Sequence, residues 1–327
     1  RLFTSFGRGA FAISPALLTW VRREAREYDV VHVHGVFNTI SSLAARSCIR
    51  QRIPVAIRPF GTLSRYTFFH RRTALKRVYL ALVERGNLQR AAAIHFTTDT
   101  ERANAEWHGV RFGARGHVIP PPAPTAMQWP LARKRDDSQA RVLFLGRIEP
   151  VKNVEALLDA WPLVLSAIPH ARLSVAGTGN ESYVRSLVER AERLGIAASV
   201  SFTGFADSDL KRQLLASASL FVLPSLHENF GIAVIEALAA SVPVVISPHV
   251  QLAPFVEANR LGHVADTTPS GLAAGIVSGL GDRDLHERVC TNAPAIISAT
   301  FSPEHVGQLL LQMYQDAIDI SNQSRHP

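Results

Sequence analysis

Short runs of apolar, often β-branched residues recur along the chain, separated by longer stretches whose apolar positions fall three and four apart. The runs at 30–33, 55–57, 93–96 and 118–119 read as strands, and 39–50 and 71–91 read as helices. Pro120, Pro121, Pro122 and Pro124 then end regular structure, since proline has no amide hydrogen to give a helix or a ladder. After the polar stretch RKRDDSQ at 133–139 the alternation restarts, with strands at 142–145, 172–176, 200–203, 220–223 and 244–246. Helices at 153–168, 183–194, 210–216 and 232–240 lie between or beside them. Short, wholly apolar strands alternating with helices suit a parallel sheet covered on both faces. Residues 266–280 and 306–320 read as closing helices, the second amphipathic through Val306, Leu309, Leu310, Met313 and Ile318. The expectation is α/β: two doubly wound, Rossmann-like domains at 1–135 and 136–327, with the linker inside 120–139. The last helix could return to the N-terminal domain. Ligands of such domains gather at the carboxyl ends of the strands, here in a cleft between the two domains.

A length of 327 residues supports two such cores, and 47% hydrophobic with 19% charged residues excludes disordered or collagenous chains. Two cysteines, Cys48 and Cys290, can build neither a disulfide framework nor a zinc site, which points to a reducing compartment. The most apolar stretch, 231–247, is interrupted by Glu236, so no membrane span is expected. The chain opens at Arg1 without Met or a signal pattern, and the expectation is a truncated N-terminal domain.

Charge divides the chain. Residues 1–135 hold 22 Lys and Arg against 7 Asp and Glu, a net of +15, so the remainder is net −7 within the total of +8. A basic half could face nucleic acid, an anionic membrane or a phosphorylated substrate. Between residues 65 and 90, Arg65, Arg71, Arg72, Lys76, Arg77, Arg85 and Arg90 interleave with Tyr66, Phe68, Phe69 and Tyr79. That pattern fits peripheral contact with anionic lipid, and equally an amphipathic core helix with a solvated basic face.

The sharpest chemistry lies in LPSLHENFGIAVIEALAASVPVVI, 223–246. A strand ends, a polar loop follows, and Gly231 lets the backbone approach a ligand just before a helix whose first amides favour an anion such as a diphosphate. The amides of Asn229, Phe230, Gly231 and Ile232 would complete that cradle. Glu228 and Glu236 stand at most about 12 Å apart along the helix axis, so one acid could accept from sugar hydroxyls and the other from a ribose diol. Read structurally, Glu228 is a favourable first-turn acid and Glu236 an exposed helix residue. Asp207-Ser208-Asp209 has the form of a metal-binding D-x-D but precedes a helix, where it reads as an N-cap; Thr98 to Glu101 reads as a capping box. No metal site is expected.

This segment, with Phe230, Gly231 and Pro243-Val244-Val245, resembles the E-x7-E region of family 4 glycosyltransferases, retaining enzymes of the GT-B fold. Further matches are Gly146-Arg147-Ile148 with Pro150, Lys152 and Asn153, then Ala176-Gly177-Thr178-Gly179 and Phe202-Thr203-Gly204-Phe205. In the first half, His32-Val33-His34-Gly35 and Pro59-Phe60-Gly61-Thr62-Leu63 resemble the acceptor-domain loops. The resemblance implies that Arg147 and Lys152 hold the donor diphosphate beside Gly146. It implies that Glu236 binds ribose, Glu228 contacts the donor sugar, and His34 hydrogen-bonds sugar or acceptor. Gly177 and Gly179 could touch the donor, although a lone G-x-G is commonly just a tight turn. Phe60 stands where many relatives carry His, and Ser241 replaces a usual Gly.

The resemblance therefore implies transfer of a hexosyl group from a nucleoside diphosphate sugar to a glycan or lipid-linked acceptor, with retention and without metal or resident cofactor. It further implies a cytoplasmic protein, peripheral on the inner membrane face. A non-hydrolysing sugar-nucleotide epimerase shares the architecture. A basic nucleic-acid-binding protein is the alternative from another class, but no nucleic-acid motif accompanies the charge, so no nucleic-acid partner is expected.

Overall fold

The computed structural model describes residues 1–70, 73–124 and 140–323. Arg71, Arg72, the 133–139 stretch and the expected 135/136 boundary lie outside the described residues. The chain divides into two compact units: Arg1–Pro121 together with Glu304–Pro327, and Pro122–Pro303.

The first unit runs α1 (Pro15–Glu24), β1 (Val31–His34), α2 (Thr39–Arg50), β2 (Val55–Arg58), α3 (Arg65–His70), α4 (Thr73–Tyr79), α5 (Arg85–Arg90), β3 (Ala93–Phe96), α6 (Asp99–Glu106) and β4 (Gly116–Val118). Its parallel sheet has the order β1-β2-β3-β4. Ile57, Ile94 and Phe96 centre one core with Leu63, Leu88 and Phe112. The single helix expected over 71–91 is instead α4 and α5 joined by a π-helical turn at Leu80–Glu84. That turn carries Glu84, 1% exposed, whose Oε1 accepts from the Phe37 amide at 2.8 Å and the Ser42 hydroxyl at 2.6 Å. Burial pushes the Glu84 carboxyl up, against the pull of those bonds. Glu84 thereby pins the loop that follows β1.

The second unit contains β5 (Arg141–Leu145), α7 (Val154–Ala167), β6 (Arg172–Ala176), α8 (Glu181–Arg193), β7 (Val200–Gly204), α9 (Ser208–Ser217), β8 (Leu220–Leu223), α10 (Ile232–Ala239), β9 (Val244–Ile246), α11 (Ala253–Ala258), β10 (Gly262–Val264), α12 (Pro269–Gly281) and α13 (Arg283–Phe301). The parallel sheet has the order β10-β9-β8-β5-β6-β7. Phe144, Trp161 and Phe221 are fully buried in its core, where the Trp161 indole donates to Ser199 Oγ at 3.0 Å. The chain therefore winds outward through β6 and β7, then returns to β8 on the other side of β5. Loops after β5 and β8 leave neighbouring strands in opposite senses, which makes the crevice between them the topological switch point.

The last helix, α14 (Pro303–Gln323), groups with the first unit. Its apolar face, Val306, Met313 and Ala317, packs on Ala56, Ala93 and Ile119.

Candidate active site

Two loops meet at the switch point of the second unit. After β5 the chain passes Gly146 and Arg147, makes a 3-10 turn at Pro150–Lys152, and enters α7 through Asn153 at φ 56°. After β8 the second loop is stitched to the first by the Leu226 amide, which donates to Val151 O at 2.8 Å. Its far side is stitched to the β9–α11 connection: the Glu228 amide donates to His249 O, and Gln251 N–H donates back to Glu228 O, both at 3.1 Å. Lys152 and Glu228, from the two loops, form an ion pair with side chains only 13% and 19% exposed. Burial lowers the pKa of neighbouring His227, although the Glu228 charge pulls the other way.

Gly231 caps α10 at φ 91°, a left-handed conformation in which a side chain is strained. The first amides of the helix lack intrahelical acceptors. Phe230 is in the core, its ring edge-on to Phe301 at 5.8 Å, so it offers the site its backbone and not its face. Ile232 follows at 38% exposure. Glu236, one turn deeper and 5% exposed, receives the Lys211 ammonium of α9 at 2.6 Å.

Each acid of the E-x7-E pair thus has its own lysine. Lys152 was expected at the site; Lys211 was not. Only the packing of α9 beside α10 reveals it, because 25 residues separate the partners and no local spacing links them. Arg147 is turned outward, 75% exposed, with its guanidinium on Glu149 at 2.6 Å; no bond joins it to Lys152 or Glu228 among the described residues.

The glycines at 177 and 179 have a packing reason. A Cβ at Gly177 would lie 1.8 Å from Gly146 O, and one at Gly179 would lie 2.0 Å from Ile148 O. The turn is pressed onto the loop after β5, with Ile148 N–H donating to Thr178 O at 2.8 Å. Asp207 caps α9 by accepting from the amides of Asp209 and Leu210, as the N-cap reading expects. Thr98 likewise caps α6 by accepting from the Glu101 amide, and the Glu101 carboxylate accepts from the amides of Thr97 and Gly61.

In the first unit, His34 ends β1 and is exposed, its ring 5.5 Å from that of Phe60. Burial, and then Arg58, lower its pKa. His32 Nδ1 lies 2.9 Å from the Tyr314 hydroxyl, in keeping with a structural role.

The model for glycosyl transferases group 1 matches residues 129–295, and that for a glycosyl transferase 4-like domain matches residues 3–122. Among curated proteins, an uncharacterized glycosyltransferase of Methanocaldococcus jannaschii is 31% identical over 186 residues, 56% of this chain and 47% of the relative. A phosphatidyl-myo-inositol mannosyltransferase of Mycobacterium leprae is 36% identical over 162 residues, 47% of this chain and 41% of the relative. The matched stretch thus spans about half the length of these relatives. Among solved structures, HepE of Anabaena in complex with UDP superposes with a TM-score of 0.74 at 21% identity, over 91% of this chain and 82% of that one. Sucrose-phosphate synthase of Thermosynechococcus elongatus does so with a TM-score of 0.73 at 20% identity, over 92% and 76%. These likenesses establish the fold as GT-B, two parallel-sheet α/β domains. With one family model matching half the chain and another most of the remainder, the chain belongs to the glycosyl transferases group 1 family.

Proposed function

We propose that this protein transfers a hexosyl group from a nucleoside diphosphate sugar to a hydroxyl of a glycan or lipid-linked glycan, with retention at the anomeric carbon. One observation carries the reading: at the switch point, Lys152–Glu228 and Lys211–Glu236 flank the left-handed cap at Gly231. The donor diphosphate sits over the first amides of α10, where the helix dipole favours negative charge. Lys152 exchanges Glu228 for a phosphoryl oxygen, and Arg147 closes over the same group with its fork of donors. Glu228, released, accepts from hydroxyls of the donor sugar. Glu236 keeps one oxygen on Lys211 and presents the other to the ribose diol.

In the chemical step the bond from the anomeric carbon to the diphosphate oxygen breaks, and its electron pair leaves with the phosphate. Arg147 and Lys152 stabilise that charge, which is the role a metal or cofactor would otherwise take; none is invoked. The acceptor oxygen attacks from the same face and its proton passes to the departing phosphate oxygen. His34 hydrogen-bonds the sugar or the acceptor. The UDP complex of HepE supports the donor class, and the phosphatidylinositol substrate named for the Mycobacterium leprae relative supports a lipid-linked acceptor.

An exposed ridge supports membrane contact. Leu75, Val78 and Leu82 are 44%, 55% and 72% exposed at helical spacing, with Phe69 and Trp107 nearby and Arg77 and Arg65 over their respective rings. Apolar residues flanked by cations suit the headgroup layer of an anionic leaflet, which would put the protein on the cytoplasmic face. No helix among the described residues is long and apolar enough to cross a membrane.

Glu236→Ala and Lys152→Ala should each abolish transfer while the protein stays folded; wild-type turnover in either contradicts the assignment. Incubation with donor alone, which an epimerase would isomerise, should give no new sugar nucleotide.

A further inference from the structure

Across the carboxyl ends of the four strands of the first unit runs a row of nitrogen-bearing side chains. His34 of β1 pairs in register with Arg58 of β2, and His95 of β3 pairs with His117 of β4. Arg58 and His95 each follow the Ile57–Ile94 pair, so all four residues share one face of the sheet, as does His32 two residues before His34. The rings of His32 and His34 are 4.3 Å apart, and those of His32 and His95 are 5.3 Å apart.

Arg58 is the cation of this row, and it pairs with no acid. Among the described residues its half-buried guanidinium makes no ion pair or hydrogen bond; it stacks on Phe60 at 4.4 Å, and its Nε is buried without a partner. Glu101, whose charge Arg58 feels, is occupied by the amides of Gly61 and Thr97 and the Thr97 hydroxyl. His95, 2% exposed, uses Nε2 on Ile119 O at 2.8 Å and leaves Nδ1 unpartnered. His32 and His117 each keep a buried, unpartnered Nε2, while Asp316 stands 3.9 Å from the other nitrogen of His117. A desolvated, unpaired cation ringed by unused ring nitrogens carries a free-energy cost that a bound oxyanion removes.

We propose that this row is a binding site for a phosphoryl oxyanion, with the Arg58 fork pairing to it, the His34 ring donating to it, and His95, whose Nε2–H is held by Ile119 O, donating from Nδ1 once that nitrogen takes up a proton. The site lies where doubly wound sheets take their ligands, and exposed His34 and Phe60 leave it open to solvent. That the oxyanion is a phosphate carried by the acceptor rests on the transferase reading; the binding itself does not. Burial and Arg58 hold His34 and His95 below their usual range, His95 at about 4, so the rings are neutral before binding. An anion offsets Arg58 and raises both, so binding takes up protons and tightens as pH falls from 7.5 towards 6.

The test is a titration of the full chain with inorganic phosphate and, separately, with a soluble short-chain phosphatidic acid, read by the NMR signals of the histidine rings. Both probes should shift ring signals, and Arg58→Met should weaken binding by roughly 10- to 100-fold, the worth of a charge-assisted bidentate contact. Lys152→Met, which disables the diphosphate loop of the second unit, should leave these shifts unchanged. A response to the lipid phosphate alone would make the headgroup the source, and a response to both would make the site blind to what the phosphate is attached to. No shift with either probe, or equal affinity in Arg58→Met, overturns the site. Should Arg58→Met not fold, Arg58→Lys, which keeps the charge and loses the fork, should bind with reduced affinity, and unchanged affinity there overturns the site equally. Loss of phosphate binding with donor binding intact removes this site alone; loss of donor binding with these shifts intact removes the transferase reading alone.

Discussion

Lys211 and Glu236 meet at 2.6 Å although one belongs to α9 and the other to α10, on either side of β8. The glutamate side chain is 6% exposed, so its charge is tolerated in this setting largely because the ammonium is there. The pair also fixes which carboxylate oxygen remains for a ligand, since Oε1 is committed.

Replacing Lys211 with Met should therefore destabilise the protein by about 1–3 kcal/mol, less than for a fully buried pair because the lysine is 22% exposed. It should also raise the donor KM or nucleoside diphosphate Kd by roughly tenfold with a smaller effect on kcat, the pattern of a positioning residue. Lys211→Arg should restore most of the affinity. An unchanged donor KM in a folded Lys211→Met variant would remove Lys211 from the site.

Gly177 and Gly204 both have positive φ, 145° and 71°, yet their substitution should differ sharply. A Cβ at Gly177 collides with Gly146 O at 1.8 Å, a backbone atom that cannot step aside, whereas a Cβ at Gly204 meets nothing within 4 Å. Gly177→Ala should cost at least about 3 kcal/mol and Gly204→Ala only about 1 kcal/mol of left-handed strain. Urea midpoints of the two variants check this; equal midpoints would mean that the two loops are not in contact.

Much of this was legible in the sequence because local chemistry announced it. Gly231 before an apolar helix, Asp207 and Thr98 at helix starts, and the short strands of the second unit all follow from spacing and side-chain type. What escaped depended on tertiary context. The 19-residue α13 was hidden by Pro294, which sits inside it and reads locally as a breaker. The π turn before Arg85 leaves no periodic signature, and it is what carries Glu84 beneath the loop after β1. Lys211 and the outward turn of Arg147 depend on neighbours distant in sequence or on solvent. Arg58 was passed over because a strand-end arginine looks ordinary until its buried, unpartnered Nε is visible.

Stability should fall on acidification through the histidines of the first unit. Burial is the main cause that lowers His95 from 6.5 to about 4 and His32 to about 3. A histidine depressed in the folded state stays neutral while the unfolded chain takes up its proton, so stability is lost as pH falls below 6.5 and levels off below the folded value. For His95 the loss between pH 6.5 and 5 is roughly 2 kcal/mol. Urea denaturation at pH 7.5 and pH 5 should show the decline, and His95→Asn should flatten it even if its stability at pH 7.5 is lower. A slope unaffected by that substitution would show that His95 titrates normally.

Ser241 occupies a left-handed conformation, φ 60°, in the turn between α10 and β9, a conformation that favours glycine. The residue is 3% exposed, so solvent does not offset the strain, and its carbonyl contacts Cys290 Sγ at 3.8 Å through the backbone alone. A serine in this region costs about 1–2 kcal/mol relative to glycine, against which the greater freedom of glycine in the unfolded chain returns up to about 1 kcal/mol. Ser241→Gly should thus stabilise the second unit by up to about 1 kcal/mol, a rise in Tm of roughly 2–4 °C for a unit of this size. The turn lies beyond the carboxyl end of α10, opposite the Gly231 cap, so nucleoside diphosphate affinity should not change. A calorimetric scan with and without nucleotide separates the two effects: a Tm no higher than wild type would mean that the serine side chain makes a compensating contact in the turn.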